Sequence, residues 1–145
     1  FEGVAARLVV GDDLATSSVS AEIEMGTVQT GNPDRDAHLA SSDFFNAETN
    51  PTMTFRSTAI SGEGEEYTMV GDLTINGVTK QVELDVEFFG TSVFPMDQST
   101  RAGFSATGTI SRKDFGINFN APVGADQVKI SDKVALELDV QLIAP

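Results

Sequence analysis

Two alternating runs joined by Asn76-Gly77 constrain this chain more than any other feature. The first is Tyr67 to Ile75 and the second is Val78 to Phe89. A type I′ turn needs positive φ at both central residues, and Asn-Gly supplies that at least cost, so the pair reads as a β-hairpin. In the second run Val82, Leu84, Val86 and Phe88 alternate with Glu83, Asp85 and Glu87. Successive strand side chains point to opposite faces, so one face is apolar and the other charged.

The same period recurs along the chain. Phe1 to Val10 reads as a strand ending at Gly11-Asp12-Asp13. In Ser17 to Met25, Val19, Ala21, Ile23 and Met25 share one face, and Ser18, Ser20, Glu22 and Glu24 the other. Met53 to Ile60 is a strand followed by the acidic turn Ser61 to Glu66. Thr91 to Thr100 reads as a loop. Arg101 to Ser111 places Phe104, Ala106, Gly108 and Ile110 together. Arg112 to Gly116 reads as a structural turn, with Gly116 taking positive φ and Phe115 packing inward. Asn118 to Gln127 is irregular, and Val128 to Ile130 extends again. Val134 to Ile143 closes the pattern with Val134, Leu136, Leu138, Val140 and Leu142 in phase. About seven antiparallel strands and one short helix in 145 residues make one all-β domain. A sandwich and an up-and-down barrel both fit, and closure is favoured because it removes exposed edges. Without Cys or Trp, the chain lacks the hallmarks of an immunoglobulin sandwich.

The β pattern also stops between Asn32 and Asn46, where acids, a base, the His and adjacent Phe residues gather. Asn32-Pro33 marks a turn, and Asp34 or Asp36 is expected to cap a short helix over Ala37 to Ser41. Ser42 and Asp43 begin a turn that carries Phe44 and Phe45. This segment holds the single His of the chain, His38, beside acids, a base and adjacent aromatics, the makeup of a lid or rim.

Charge narrows the partners. The net charge is −13, from 22 acids against 9 bases. Such a surface repels phosphate backbones and anionic headgroups, which argues against nucleic-acid binding and against a stable membrane anchor. No apolar run approaches the ~20 residues needed to span a bilayer as a helix. The chain begins at Phe1 inside a strand pattern. Upstream residues are therefore expected to be missing, and the compartment (periplasmic, secreted or cytoplasmic) stays open.

Five segments in order resemble the YceI family: Arg35-Asp-x-His-Leu39, Asp43-Phe-Phe45, Asn50-Pro-x-x-x-Phe-x-Ser57, Gly71-Asp-Leu-Thr-Ile-x-Gly-Val-Thr79 and Ile110-x-Arg-x-Asp-Phe-Gly116. The resemblance covers nearly the whole chain. It implies an antiparallel, lipocalin-like β-barrel with a small helical cap. It also implies a polyisoprenoid or similar apolar lipid, such as an isoprenoid quinone, held inside for transport, with no further cofactor. Against the family pattern the opening strand or two, before Phe1, are absent. A barrel lacking them is expected to stay open, and an open edge would favour a homodimer.

The residues supply a matching site. Phe and Met give adaptable apolar walls, while small residues such as Ala21, Ala106 and Gly108 leave room. The expected lining is Phe55, Met69, Leu73, Leu84, Val86, Phe88, Phe104, Ala106, Leu136 and Leu138, with Phe44 and Phe45 at the lid. Alternation alone does not say which face points inward, because a one-residue shift inverts it. Arg35, His38 and Arg112, scarce bases in irregular segments, are the expected rim contacts for a polar head.

Two other classes compete. An enzyme would draw on Asp34, Asp36, His38 and Asp43, but one His without Cys is a poor zinc set, and Ser41 and Ser42 lack the G-x-S-x-G elbow. The acidic turn Gly62 to Glu66 lacks EF-hand spacing. The closer rival is an interaction or stress-response module with a filled core.

Overall fold

In a computed structural model, which describes residues 1–119 and 130–144, the chain forms a single seven-stranded antiparallel meander. The strands are β1 (Val4–Val9), β2 (Ser18–Glu24), β3 (Thr52–Glu63), β4 (Glu66–Ile75), β5 (Val78–Val93), β6 (Thr100–Ser111) and β7 (Lys133–Ile143). One helix, α1 (Pro33–Ala40), lies in the β2–β3 connection. Each strand pairs only with its sequence neighbours. The meander curls until β1 and β7 have Cα atoms within 8 Å of one another, with no ladder between them. The result is a nearly closed barrel with a single seam. The expected loop from Thr91 to Thr100 is shorter than the sequence implied, because β5 runs on to Val93 and pairs with Thr100. The expected extension at Val128–Ile130 lies, but for Ile130, outside the described residues.

Local chemistry explains the turns. Asn76 and Gly77 have φ of 53° and 73°, the left-handed pair that a type I′ hairpin demands. Arg112–Phe115 forms a 3₁₀ turn that Gly116 ends at φ 72°. The helix begins earlier than the sequence implied. Its cap is Asn32, whose side-chain oxygen accepts from the backbone N–H groups of Asp34 and Arg35, and Pro33 takes the first helical position. Asp36 turns away instead, accepting from the backbone N–H and hydroxyl of Thr30.

Register fixes what faces inward. Ala6, Ala21, Phe55 and Leu73 are successive cross-strand partners, as are Val86, Ala106 and Leu138. Directly opposed residues share a face. One row of the barrel interior therefore contains the alternating apolar set, and the charged set of β5 faces outward. Among the described residues no helix is long and apolar enough to cross a membrane.

Candidate functional site

The two ends of the barrel are built differently. At the end carrying α1, Met25 and Phe115 are 1% exposed, and Phe44, Met53, Ile75 and Ile117 are buried around them. Phe44 packs edge-on against His38 and Phe119, with ring centroids 5.0 and 5.2 Å away. Phe45 meets Phe1 edge-on at 5.9 Å. This end is plugged by packed side chains.

Above the plug the interior is hollow. A cavity of about 280 Å³ is walled by residues of all seven strands, among them Ala6, Val19, Ala21, Ile23, Met53, Phe55, Met69, Leu73 and Val82. Leu84, Phe104, Ala106, Leu136, Leu138 and Val140 complete much of the wall. A second cavity of about 220 Å³ lies toward the opposite end, against Leu8, Val10, Leu14, Ile60, Tyr67, Val86 and Phe88. Both cavities touch Val19, Met69 and Phe104, so the two apolar spaces adjoin at these three side chains.

Small residues do not all contribute room. Gly108 leaves none, because the Leu84 side chain lies over it: a Cβ there would sit 2.6 Å from Leu84 Cδ2. Ala21 and Ala106 do border the cavity. The seam adds access. Phe1, Val4 and Val134 border the first cavity yet are 45%, 47% and 38% exposed, because no ladder covers them between β1 and β7.

The residues singled out from sequence fall into three groups. Phe55, Met69, Leu73, Leu84, Phe104, Ala106, Leu136 and Leu138 line the first cavity. Val86 and Phe88 line the second. Phe44 and Phe45 line neither and belong to the plugged end, next to the cavity only through Phe1. The sequence reading passed over Val19, Ile23, Met53, Val82 and Val140, although the same alternation placed them in phase with the residues it chose.

The three rim bases differ. Arg35 is exposed and donates from Nε to the Thr30 hydroxyl and from its terminal nitrogen to the Thr30 carbonyl, both at 2.9 Å. His38 Nε2 lies 2.9 Å from Asp43 Oδ2 in a half-exposed pair. Arg112 is not a rim base. It is 5% exposed, and its guanidinium donates to the carbonyls of Ser131, Ile117 and Ile130 at 2.9, 2.9 and 3.2 Å. Asp132 lies 3.5 Å away. The physical reason is tertiary: the fold brings the carbonyl of Ile117, just after the turn, together with those of Ser131 and Ile130 before β7, and a planar five-donor group satisfies several at once.

Of the side chains in the enzyme reading, His38 and Asp43 pair with each other. The Ser41 hydroxyl donates to the His38 carbonyl rather than facing the imidazole. Among the described residues no three His, Asp or Glu side chains are grouped to hold a metal ion.

Comparison with known proteins agrees with this architecture. A family model for the YceI-like domain matches residues 1–142. A UPF0312 protein of Staphylococcus epidermidis is 40% identical over 130 residues, which is 90% of this chain and 74% of that protein. One of Photorhabdus laumondii is 41% identical over 85% of this chain and 62% of its own. The crystal structure of a Campylobacter jejuni YceI protein superposes with a TM-score of 0.84 at 30% identity, covering 100% of this chain and 83% of that one. Burkholderia cenocepacia BcnA shares the fold with a TM-score of 0.81 at 23% identity.

Proposed function

The chain belongs to the YceI-like domain family, and from that premise we propose that it binds and carries a long apolar lipid inside its barrel without converting it chemically. The lipid class we infer is a polyisoprenoid, such as the tail of an isoprenoid quinone. The observation that supports this most is the pair of apolar cavities inside the barrel that adjoin at Val19, Met69 and Phe104. Together the cavities fall within the ~300–1,000 Å³ typical of small-molecule sites.

The energetics suit a hydrocarbon guest. Each CH₂ removed from water contributes about 0.8 kcal/mol, so ten contribute about 8 kcal/mol before the cost of ordering the chain. That scale holds a lipid with no charged contact inside the barrel. Water gains little there, since a buried water needs two to four polar partners and these walls offer few. A branched isoprenoid surface suits walls made of Met69, Phe104 and Leu side chains, which adapt without forming hydrogen bonds.

A polar head fits best at the plugged end, near exposed Arg35 and His38, where Phe45 abuts the cavity-wall residue Phe1. Arg112 is excluded from that role by its three carbonyl acceptors.

The test is native mass spectrometry with organic extraction of the protein purified from its own cells. The expected result is a co-purifying quinone or polyprenyl species in near-stoichiometric amount. Lipid-free protein that also fails to take up a quinone in vitro would overturn the proposal in favour of a filled-core interaction module.

A further inference from the structure

Most of the exposed large apolar side chains among the described residues stand at one end of this barrel. Connections β1–β2, β3–β4 and β5–β6, and the end of β7, all lie opposite α1. There Met96 is 87% exposed, Val10 76% and Phe89 63%, with Ile143, Val93 and Leu14 also exposed. Side chains as large as these are rarely left together in water unless something covers them. Two of them, Val10 and Leu14, also wall the second cavity.

The β5–β6 hairpin extends this end. The β4 ladder with β5 stops at Glu66↔Glu87, while β5 continues to Val93. Gly90, at φ 92°, sits where the register with β6 shifts, and Phe89 lies at that bulge. The arm from Phe89 to Val93 therefore has a ladder with β6 on one side and none on the other.

Acids share this end of the barrel with the apolar residues. Asp12, Asp13, Glu63, Glu65, Glu66 and Glu87 are all exposed at this end. Arg101 offsets little, because its guanidinium donates to Asp97 at 3.1 Å and to Ser99 at 3.0 Å. An apolar group among acids selects its partner by charge. A second copy would oppose acid to acid. A cellular membrane surface, negative from anionic lipids, would be repelled in the same way.

We propose that the barrel end opposite α1 is a docking face for a protein partner that presents an apolar surface rimmed by Lys or Arg. The proposal goes beyond the carrier reading and does not depend on what the cavity holds.

The test uses the whole chain in a lipid-free titration with a fluorescent amphipathic Leu/Lys helical peptide. A Ser/Lys peptide of equal charge is the control. The expected result is binding of the Leu/Lys peptide about tenfold tighter than the control, weakened about tenfold by Val10→Ser with Met96→Ser. Glu63→Gln, Glu65→Gln and Glu66→Gln together should flatten its salt dependence. Glu22→Gln with Asp72→Asn, on the outer face away from this end, should leave binding unchanged. Equal binding of the two peptides, or insensitivity to the Val10 and Met96 changes, overturns the proposal. So does binding to phosphatidylcholine vesicles, or a dimer in sedimentation, that the same two changes abolish.

Discussion

The ring of Phe55 on β3 occupies the space that a side chain on Gly71 of β4 would take. A Cβ on Gly71 would come within 2.6 Å of both Phe55 Cε2 and the Arg56 backbone oxygen. The backbone oxygen cannot yield as a side-chain tip can. Gly71→Ala is therefore expected to cost about 1–3 kcal/mol, a fall in Tm of about 3–10 °C in a scanning calorimeter. Because Phe55 lines the cavity, the displaced ring should also reduce the amount of bound lipid. An unchanged Tm with unchanged lipid content would show that the close approach of Gly71 and Phe55 carries no weight.

Ala21 gives a way to fill the cavity without touching the plug. It borders the first cavity and is only partly buried, opposite Ala6 and Phe55. Ala21→Phe puts a ring into the first cavity. The expected outcome is loss of most co-purifying lipid, with the far-UV circular dichroism of a β protein retained. Full lipid occupancy in this variant would place the guest elsewhere.

Arg112 separates a structural role from a binding role. Arg112→Ala removes the donor to the buried carbonyl of Ile117 and to the part-buried carbonyl of Ser131, and an unsatisfied buried group costs about 1–3 kcal/mol. The expected outcome is a Tm lower by about 5 °C or more, with lipid affinity per folded molecule preserved. Arg35→Ala should behave in the opposite way: stability unchanged, and affinity reduced only for lipids that bear a polar head. If Arg35→Ala leaves headgroup discrimination intact, the head does not lie at the plugged end.

The β5–β6 connection has its own pH response. Asp97 is held below the usual carboxylate range, first by the Ser99 hydroxyl, next by the Ser99 backbone N–H and then by Arg101. Depression means that the folded state prefers the charged form. The contribution is present above the ordinary carboxylate pKa and is lost as pH falls through the lower folded value. Carboxyl NMR titration is expected to show Asp97 protonating at lower pH than an unstructured Asp. Ser99→Ala should raise that midpoint more than Arg101→Gln. The reverse order would assign the effect to the guanidinium.

Much of the barrel was legible before any coordinates. The Asn76-Gly77 turn, the alternation of Val82 to Phe88, and the phase of Val134 to Leu142 each reflect local stereochemistry, which neighbouring residues alone dictate. The same holds for Gly116, whose positive φ ends the turn after Phe115. The helix was legible in kind but not in its start. Asn32, Asp34 and Asp36 are all competent caps, and the choice depended on Thr30 engaging Asp36 and leaving Asn32 for the helix N–H groups.

What the sequence determined by itself was period and partnership: which residues share a face, and which strands are joined by turns. Only the tertiary structure decided which shared face is hollow. Phe44 and Gly108 show why. Phe44 is aromatic and partly flanked by polar residues, as a lid would be, yet it packs on His38 and Phe119 and helps to plug the barrel. Gly108 is small enough to leave room, yet Leu84 from the adjacent strand takes that room. Space inside a protein depends on how side chains from distant segments fill one another's gaps, and no single segment records its neighbours' shapes. The burial of Arg112 follows the same logic, since the carbonyls it satisfies converge only once β6, its turn and the residues before β7 are brought together.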